Sequence, residues 1–480
     1  MSNEQTKIAA NTTWFTLALI LQKIISFVYF TYLARVLGAE NLGQYVFALS
    51  FVTIFSIIVD FGSNHFITRE VAKDHLLSQK LLSNVFGFKI FSSILSVVII
   101  FLTVNLLGYQ ILTKQLIYIA TFLMLVESLV ISCYAIIRGW HNLKYESFGT
   151  VTVQLLITII GIITLQFTTN LQVLLFVLLA VNILNLFYAL SLLYWKLNLK
   201  IKFSFDFDYW KKIFLIILPF ALSAGFTKVY GAFDQVLLSK LASNVALGYY
   251  AVAYKLTFAL QFLPLALVAS LYPAMSTYFT HDKDMLNKAF TRAVYYLLIL
   301  TIPLSFGIIF LADKFILTLY TEEYIGSILP LQILIASLIF LFINFPLGSL
   351  LNAANKQSRN TLNIGLAMIF NILLNLFLIP QFQAVGAAIA SFLSTFILFL
   401  LNLFIAKSLL KIDYKYLLKV TIKTLFASTF MIIIIFFSLQ YFNWLVSAIF
   451  GSLFYLIIQI IIKSITSRDI KQVLLSFKRN

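Results

Sequence analysis

Five lysines and two acids interrupt stretches that are otherwise apolar: Lys23, Lys89, Lys228, Lys255 and Lys423, with Glu127 and Asp234. An ammonium group in such surroundings needs water, an anion or a carboxylate partner, and a carboxylate there needs a proton, a sodium ion or a lysine. The chemistry open to these residues is binding and charge transfer. Nothing resembles a catalytic constellation: the sequence has no GxSxG, no Walker-type glycine loop and no paired-carboxylate motif. The four histidines, His65, His75, His141 and His281, fall in or beside polar connections without metal-ligand spacing and read as ordinary solvated residues. Cys133 is the single cysteine and sits in an apolar run, which excludes a disulfide framework or a CxxC site.

The elements that must hold these charges are membrane helices. Of 480 residues, 61% are hydrophobic and 11% charged, against roughly a quarter charged in ordinary soluble chains. A helix crossing an apolar layer of about 30 Å needs roughly 20 apolar residues. That criterion predicts helices near residues 13–37, 42–64, 81–107, 115–138, 148–168, 172–195, 212–240 and 246–273, then near 288–311, 328–353, 360–379, 384–406, 420–439 and 443–463. The first run is too long for a signal-peptide core and lacks a small-residue cleavage site, so it reads as a retained helix. The fold expected is an all-α polytopic membrane protein with about fourteen transmembrane helices, a transporter rather than an enzyme, with no cofactor.

Charge sets the orientation. Alternate connections carry Lys7, then Arg69, Lys73 and Lys80, then Arg138 and Lys144, then Lys196, Lys200, Lys202, Lys211 and Lys212. The same side continues with Lys283, Lys288 and Arg292, with Lys356 and Arg359, with Lys407, Lys411, Lys415 and Lys419, and with the basic tail from Lys463 onward. The opposite side holds only Arg35, Lys114, Lys240 and Lys314. The positive-inside rule therefore puts both termini in the cytoplasm and requires an even helix count. Most of the net charge of +17 is topological. With no soluble basic domain, basic arm or aromatic platform, nucleic acid is excluded as a partner. External connections are short, the longest near 312–327, which leaves no room for the outer-face domain that a membrane glycosyltransferase or polymerase would need.

An offset of 205 residues aligns LGQYVFA at 42–48 with LGYYAVA at 247–253, and pairs Lys23 with Lys228 and Arg35 with Lys240. Six helices separate the copies, so the repeat is parallel, about an axis along the membrane normal. The expected organisation is an N-terminal lobe at 1–200, a C-terminal lobe at 201–410, and two further helices with a tail at 411–480. Substrate paths in such transporters run between lobes. The first helix of each carries a polar stripe, Asn11, Gln22, Ser26 and Tyr29 in one and Ser223, Thr227, Tyr230 and Asp234 in the other. Lys23 and Lys228 each precede their helix-end cation by 12 residues, about 18 Å of helix, which places them near the bilayer centre.

These positions assign roles. Lys23 and Lys228, with Gln22 and Thr227 beside them, are the groups expected to meet an anionic cargo, and Lys89 and Lys255 are further cargo cations. Snorkelling to the interface is the favoured alternative for Lys89 and Lys255, and more so for Lys423 near Lys419. Arg35 and Lys240 are candidates for a gate or release site, although cations favour helix C-termini in any case. Glu127 and Asp234 either couple transport to H+ or Na+ or neutralise the lysines. Asp60 is expected to pair with Arg69 near the cytoplasmic interface.

The segments ARVLGAENLGQYVFA at 34–48, VDFGSNHFITREVAK at 59–73, LYPAMS at 271–276 and IPQFQAVGAAIAS at 379–391 resemble the polysaccharide-transport, Wzx-type flippase branch of the superfamily that also includes MATE multidrug exporters and the lipid II flippase MurJ. The resemblance runs along nearly the full chain and includes the helix count. It implies a V-shaped pair of six-helix lobes in the cytoplasmic membrane. Alternating access would carry an undecaprenyl-diphosphate-linked oligosaccharide from the inner to the outer leaflet. A polysaccharide polymerase and glycosyltransferases are the implied partners. A MATE-like antiporter of small cations and a MurJ-like flippase of the peptidoglycan precursor are the rival readings; the first would want interior carboxylates to outnumber interior lysines.

Overall fold

A computed structural model describes residues 3–200, 203–204 and 206–464. The basic tail residues Arg468, Lys471, Lys478 and Arg479 lie outside the described residues, as do Lys202 and the side chains of Lys7, Asn11 and Lys212. The described chain is helical almost throughout, with no strand among the described residues. Ten of its helices are long and apolar enough to cross a membrane. Two of these are double crossings: the first bends at Gly38 (φ 73°) and another at Gln383 (φ 48°). The long helix at Phe207–Leu241 and the interrupted one that follows it occupy two further expected runs. Among the described residues, helices thus cover all of the roughly fourteen runs expected.

By packing the chain divides into two compact units, Met1–Ala251 with Asn375–Gln383, and Val252–Leu374 with Ala384–Asn480. The first unit contains α1 (Asn3–Asp60), α2 (Ser63–Lys73), α3 (Ser78–Leu106), α4 (Ile111–Gly139), α5 (Leu143–Phe167), α6 (Leu171–Leu197) and α7 (Phe207–Leu241), and the start of α8 (Asn244–Ala259). Here α1 packs on α3, α4, α5 and α7, and α4 also packs on α2 and α6. The units follow packing, whereas the lobes expected from the repeat follow sequence.

The second unit contains the rest of α8, then α9 (Phe262–His281), α10 (Lys283–Phe310), α11 (Ala312–Leu319), α12 (Ile328–Ala353), most of α13 (Gln357–Leu409), α14 (Tyr414–Ser438) and α15 (Trp444–Ile461). The helix expected at 246–273 is in fact two, broken at Leu260 and Gln261. Pro264 explains the break, because it has no N–H to donate to the carbonyl four residues earlier. The connection expected to be the longest external one is itself ordered, as α11 and a short 3-10 turn at Glu322–Ser327.

Side-chain pattern shows which faces meet lipid. On α14, Leu418, Ile422, Phe426, Phe430, Ile433 and Phe437 are exposed, whereas Thr424, Ala427, Ser428, Met431 and Ile435 are buried. Most of the large residues face out, while threonine, alanine and serine face in beside Met431 and Ile435, as expected where the surroundings are as apolar as the core. Buried polar side chains then act as glue between helices: in the second unit Asn363 donates to Asn402 (2.9 Å), Asn402 to Asn344 (3.2 Å), and Asn344 to the Thr395 carbonyl (3.3 Å).

Close helix approach needs glycine, and the repeat supplies it twice. A Cβ on Gly43 would lie 1.9 Å from the Asn244 carbonyl oxygen, and one on Gly248 would lie 2.1 Å from that of Ala39. Ala39 and Asn244 are themselves equivalent in the repeat offset, as are Gly43 and Gly248. The two contacts are thus the two halves of one pseudo-twofold interaction inside the first unit. Gly43→Val and Gly248→Val are each expected to destabilise the detergent-solubilised protein by about 1–3 kcal/mol through overpacking. Gly307→Ala, whose Cβ would meet only Met431 Cε at 3.5 Å, is expected to be neutral or slightly stabilising in the same thermal-unfolding measurement.

Candidate functional site

The site grows from the end of a helix. Asp60 is the last residue of α1, which stops there because Phe61 (φ 38°) and Gly62 (φ 67°) turn the backbone into the left-handed region. A carboxylate at a helix C-terminus faces the negative end of the helix dipole, and Asp60 is also buried. Two lysines from distant parts of the chain compensate. Lys89 of α3 reaches Asp60 Oδ1 at 2.9 Å and Lys228 of α7 reaches Oδ2 at 2.9 Å. Ser128 Oγ of α4 donates to Oδ1 at 2.7 Å.

The two lysines are not equivalent. Lys89 is 1% exposed, and its ammonium donates to Asp60, to the Ser128 carbonyl at 2.9 Å and to Ser128 Oγ. Three acceptors use all three of its donors. Lys228 donates to Asp60 and to Ser56 Oγ (2.7 Å), and its side chain stays 33% exposed. One of its N–H groups has no partner among the described residues. Beside it is a cavity of about 310 Å³ lined by Thr53, Ser56, Asp60, Glu127, Ser128 and Lys228 among apolar neighbours. Within the cluster two ammonium groups meet one carboxylate, and the exposed Glu127 adds a second carboxylate to the same wall.

Several expectations change here. Asp60 does not pair with Arg69, which instead bridges to Glu70 at 2.8 Å. Lys73 also binds Glu70, at 3.0 Å; partial burial works against that carboxylate, but these two cations hold it below its ordinary value. Lys89 does not snorkel and has no donor left for a cargo, so its part is to hold Asp60. Lys423 does not simply reach for the interface: it donates to the carbonyl of Ile462, at the end of α15. Lys240 likewise donates to the Leu107 carbonyl at the end of α3 (2.8 Å) and lies over the Tyr109 ring.

Other candidates lie elsewhere. Lys23 and Gln22 are half-buried on α1 and do not line this cavity; Arg35 is exposed; Thr227 is exposed and bonds back to the Ser223 carbonyl. Lys255 is half-buried in the second unit. Asp234 is buried, accepting from Tyr250 Oη at 2.8 Å and Asn375 Nδ2 at 2.6 Å. The residue that sequence reasoning misses is Asp60 as counter-ion. Its signal is present, since Thr53, Ser56 and Asp60 recur at three- and four-residue steps and form one polar face leading to the helix end.

Two family models match the chain: one described as polysaccharide biosynthesis protein over residues 8–279, and one described as MatE over residues 219–377. Among curated relatives, the probable low-salt glycan biosynthesis flippase Agl15 of Haloferax volcanii is 22% identical over 82% of this chain and 82% of its own. The capsular polysaccharide biosynthesis protein CapF of Staphylococcus aureus is 23% identical over 81% of this chain and 96% of its own. Among solved structures, the lipid II flippase MurJ in an inward closed conformation aligns at TM-score 0.76 with 19% identity, covering 93% of this chain and 98% of MurJ. An inward-facing multidrug resistance MATE transporter aligns at 0.65 with 14% identity, covering 82% and 98%.

The cluster makes its own prediction. Asp60→Ala leaves Lys89 buried without its counter-ion and is expected to cost about 3–5 kcal/mol in thermal or denaturant unfolding. Lys228→Ala is expected to cost less, because that side chain is partly exposed. The double variant Asp60→Leu/Lys89→Met removes both charges and should recover most of the loss, giving a clear coupling energy; additive losses would show that the two do not act as a unit.

Proposed function

The chain belongs to the polysaccharide biosynthesis protein family, a multi-pass membrane transporter and not an enzyme, and on that premise we propose that it flips lipid-linked oligosaccharide units for cell-surface polysaccharide export. The cargo proposed is an undecaprenyl-diphosphate-linked oligosaccharide, moving from the inner to the outer leaflet of the cytoplasmic membrane, with both termini on the cytoplasmic side. The observation that carries the reading is Lys228: a cation inside a membrane unit, fixed by Asp60 and Ser56, with one donor left beside a cavity. Diphosphate oxygens are the strong acceptors such a donor matches.

Lys228 is the principal cargo contact in this scheme, and Lys23, its repeat partner, the second. Gln22, Thr227 and Lys255 are secondary contacts. The two six-helix repeats provide alternating access, and Arg35 and Lys240 mark the release side. Glu127 and Asp234 are the candidate coupling sites for H+ or Na+, and a polymerase and glycosyltransferases the candidate partners. An interior-negative potential favours outward movement of an anion by about 2.3 kcal/mol per charge per 100 mV when the charge crosses the full field.

Proteoliposomes loaded with head-group-labelled undecaprenyl-diphosphate oligosaccharide test the scheme. Lys228→Ala is expected to slow translocation roughly tenfold or more, the equivalent of one charge-assisted hydrogen bond of about 1.5–3 kcal/mol, whereas Lys228→Arg keeps most of the rate. Lys23→Ala should slow it further in the double variant. Absence of translocation by folded parent protein across several head groups would move the assignment to a small-molecule antiporter. In the same vesicles, Asp234→Asn is expected to abolish stimulation by an imposed Na+ or H+ gradient; a stimulation that survives removes Asp234 from coupling.

A further inference from the structure

A second cavity, of about 830 Å³, lies in the other unit, walled by α9, α10 and the chain joining α13 to α14. Three cations line it: Lys288 and Arg292 of α10, and Lys411. Lys288 and Arg292 are four residues apart on one helix face, a like-charge arrangement that weakens a helix unless something lies between them. The one acid in the lining is Asp413, whose Oδ1 is engaged by the backbone N–H of Tyr416 at 2.9 Å as the cap of α14. No ion pair joins any of the three cations to a carboxylate among the described residues. The positive-inside rule accounts for cations in these connections. It does not account for their convergence on one concavity.

The remaining lining decides what kind of anion fits. Tyr296 and Tyr416 bring rings with a polar tip, while Leu271 and Met285 bring an apolar wall. Cations and tyrosines sharing one cavity with an apolar wall match a molecule with a phosphorylated head and a hydrocarbon body, and basic pockets between membrane helices on the cytoplasmic side take anionic head groups. The volume lies within the range of ordinary ligand sites, about 300–1,000 Å³.

We propose that this cavity seats the phosphorylated head of an amphiphile in the cytoplasmic leaflet, an anionic phospholipid, held by Lys288, Arg292 and Lys411. The proposal rests on the cytoplasmic orientation of these connections and not on the identity of the cargo, and its readout is binding, so it stands or falls separately from translocation.

The test uses the full chain in detergent micelles containing equal phosphatidylglycerol and phosphatidylcholine, with retained lipid counted by native mass spectrometry. The parent is expected to retain phosphatidylglycerol at least fivefold over phosphatidylcholine. The triple variant K288Q/R292Q/K411Q should fall to parity, while K283Q/K415Q/K419Q, which loses the same charge outside the cavity, should keep the preference. Millimolar inorganic phosphate should not displace the lipid. A parent without preference, or equal loss in both triple variants, overturns the site; displacement by inorganic phosphate alone overturns the lipid assignment in favour of a free-anion site.

Discussion

A carboxylate buried at the C-terminal end of a membrane helix is opposed twice, by desolvation and by the helix dipole. Asp60 is in that position, and its two salt bridges are what make the position tolerable. The consequence is architectural. Because Lys89 comes from α3, Ser128 from α4 and Lys228 from α7, meeting the needs of one carboxylate fixes four helices around it. Lys228 is 168 residues away in sequence, so the contact orders the chain over a long range that local helix propensity cannot reach. Hydrophobic burial contributes little to such ordering in lipid, where tails are as apolar as leucine. Polar contacts and close packing carry a larger share.

The close packing is concentrated where the repeat meets itself. Gly43 against Asn244 and Gly248 against Ala39 are the same contact made in both directions. Interactions of this reciprocal kind arise wherever two copies of one surface face each other across a twofold axis. The break in helical geometry follows the same correspondence: Gly38 in α1 and the gap between α7 and α8 are equivalent positions. Backbone carbonyls at those breaks are what the glycines approach, so a side chain there would displace main chain and not merely a rotamer.

How much of this is legible in the sequence depends on the physics of each feature. The crossings are legible because a run of about twenty apolar residues matches the thickness of a bilayer core, and the repeat because lysine inside an apolar run is rare. The break at Leu260 is hidden because Pro264 sits within an apolar run, which length alone bridges. Asp60 goes to Arg69 when pairing is judged by distance along the chain. A helix of the length of α1 ends far from where it starts, and its last residue meets whatever α3, α4 and α7 bring to it. Likewise the asparagines at 363, 371 and 375 occupy one face of α13, buried, while Leu362, Leu366, Ile369, Leu373 and Leu376 face out. That alternation is visible in the sequence when it is searched for polarity instead of charge.

The inequality between Lys89 and Lys228 lets one cluster hold the helices and, on the proposed function, also meet cargo. Asp60 has two oxygens, and each lysine holds one. If an anion draws Lys228 away, Asp60 keeps Lys89 and Ser128 and is not left bare, so the desolvation penalty of an unpaired buried carboxylate does not arise. If Lys89 were drawn away instead, it would abandon three internal acceptors at once. The exposed lysine is therefore the exchangeable one. On the proposed function, Asp60 keeps it aimed between cargoes, and a diphosphate, with more charge than a single carboxylate, would compete with Asp60 without dismantling the helices that the buried pair holds.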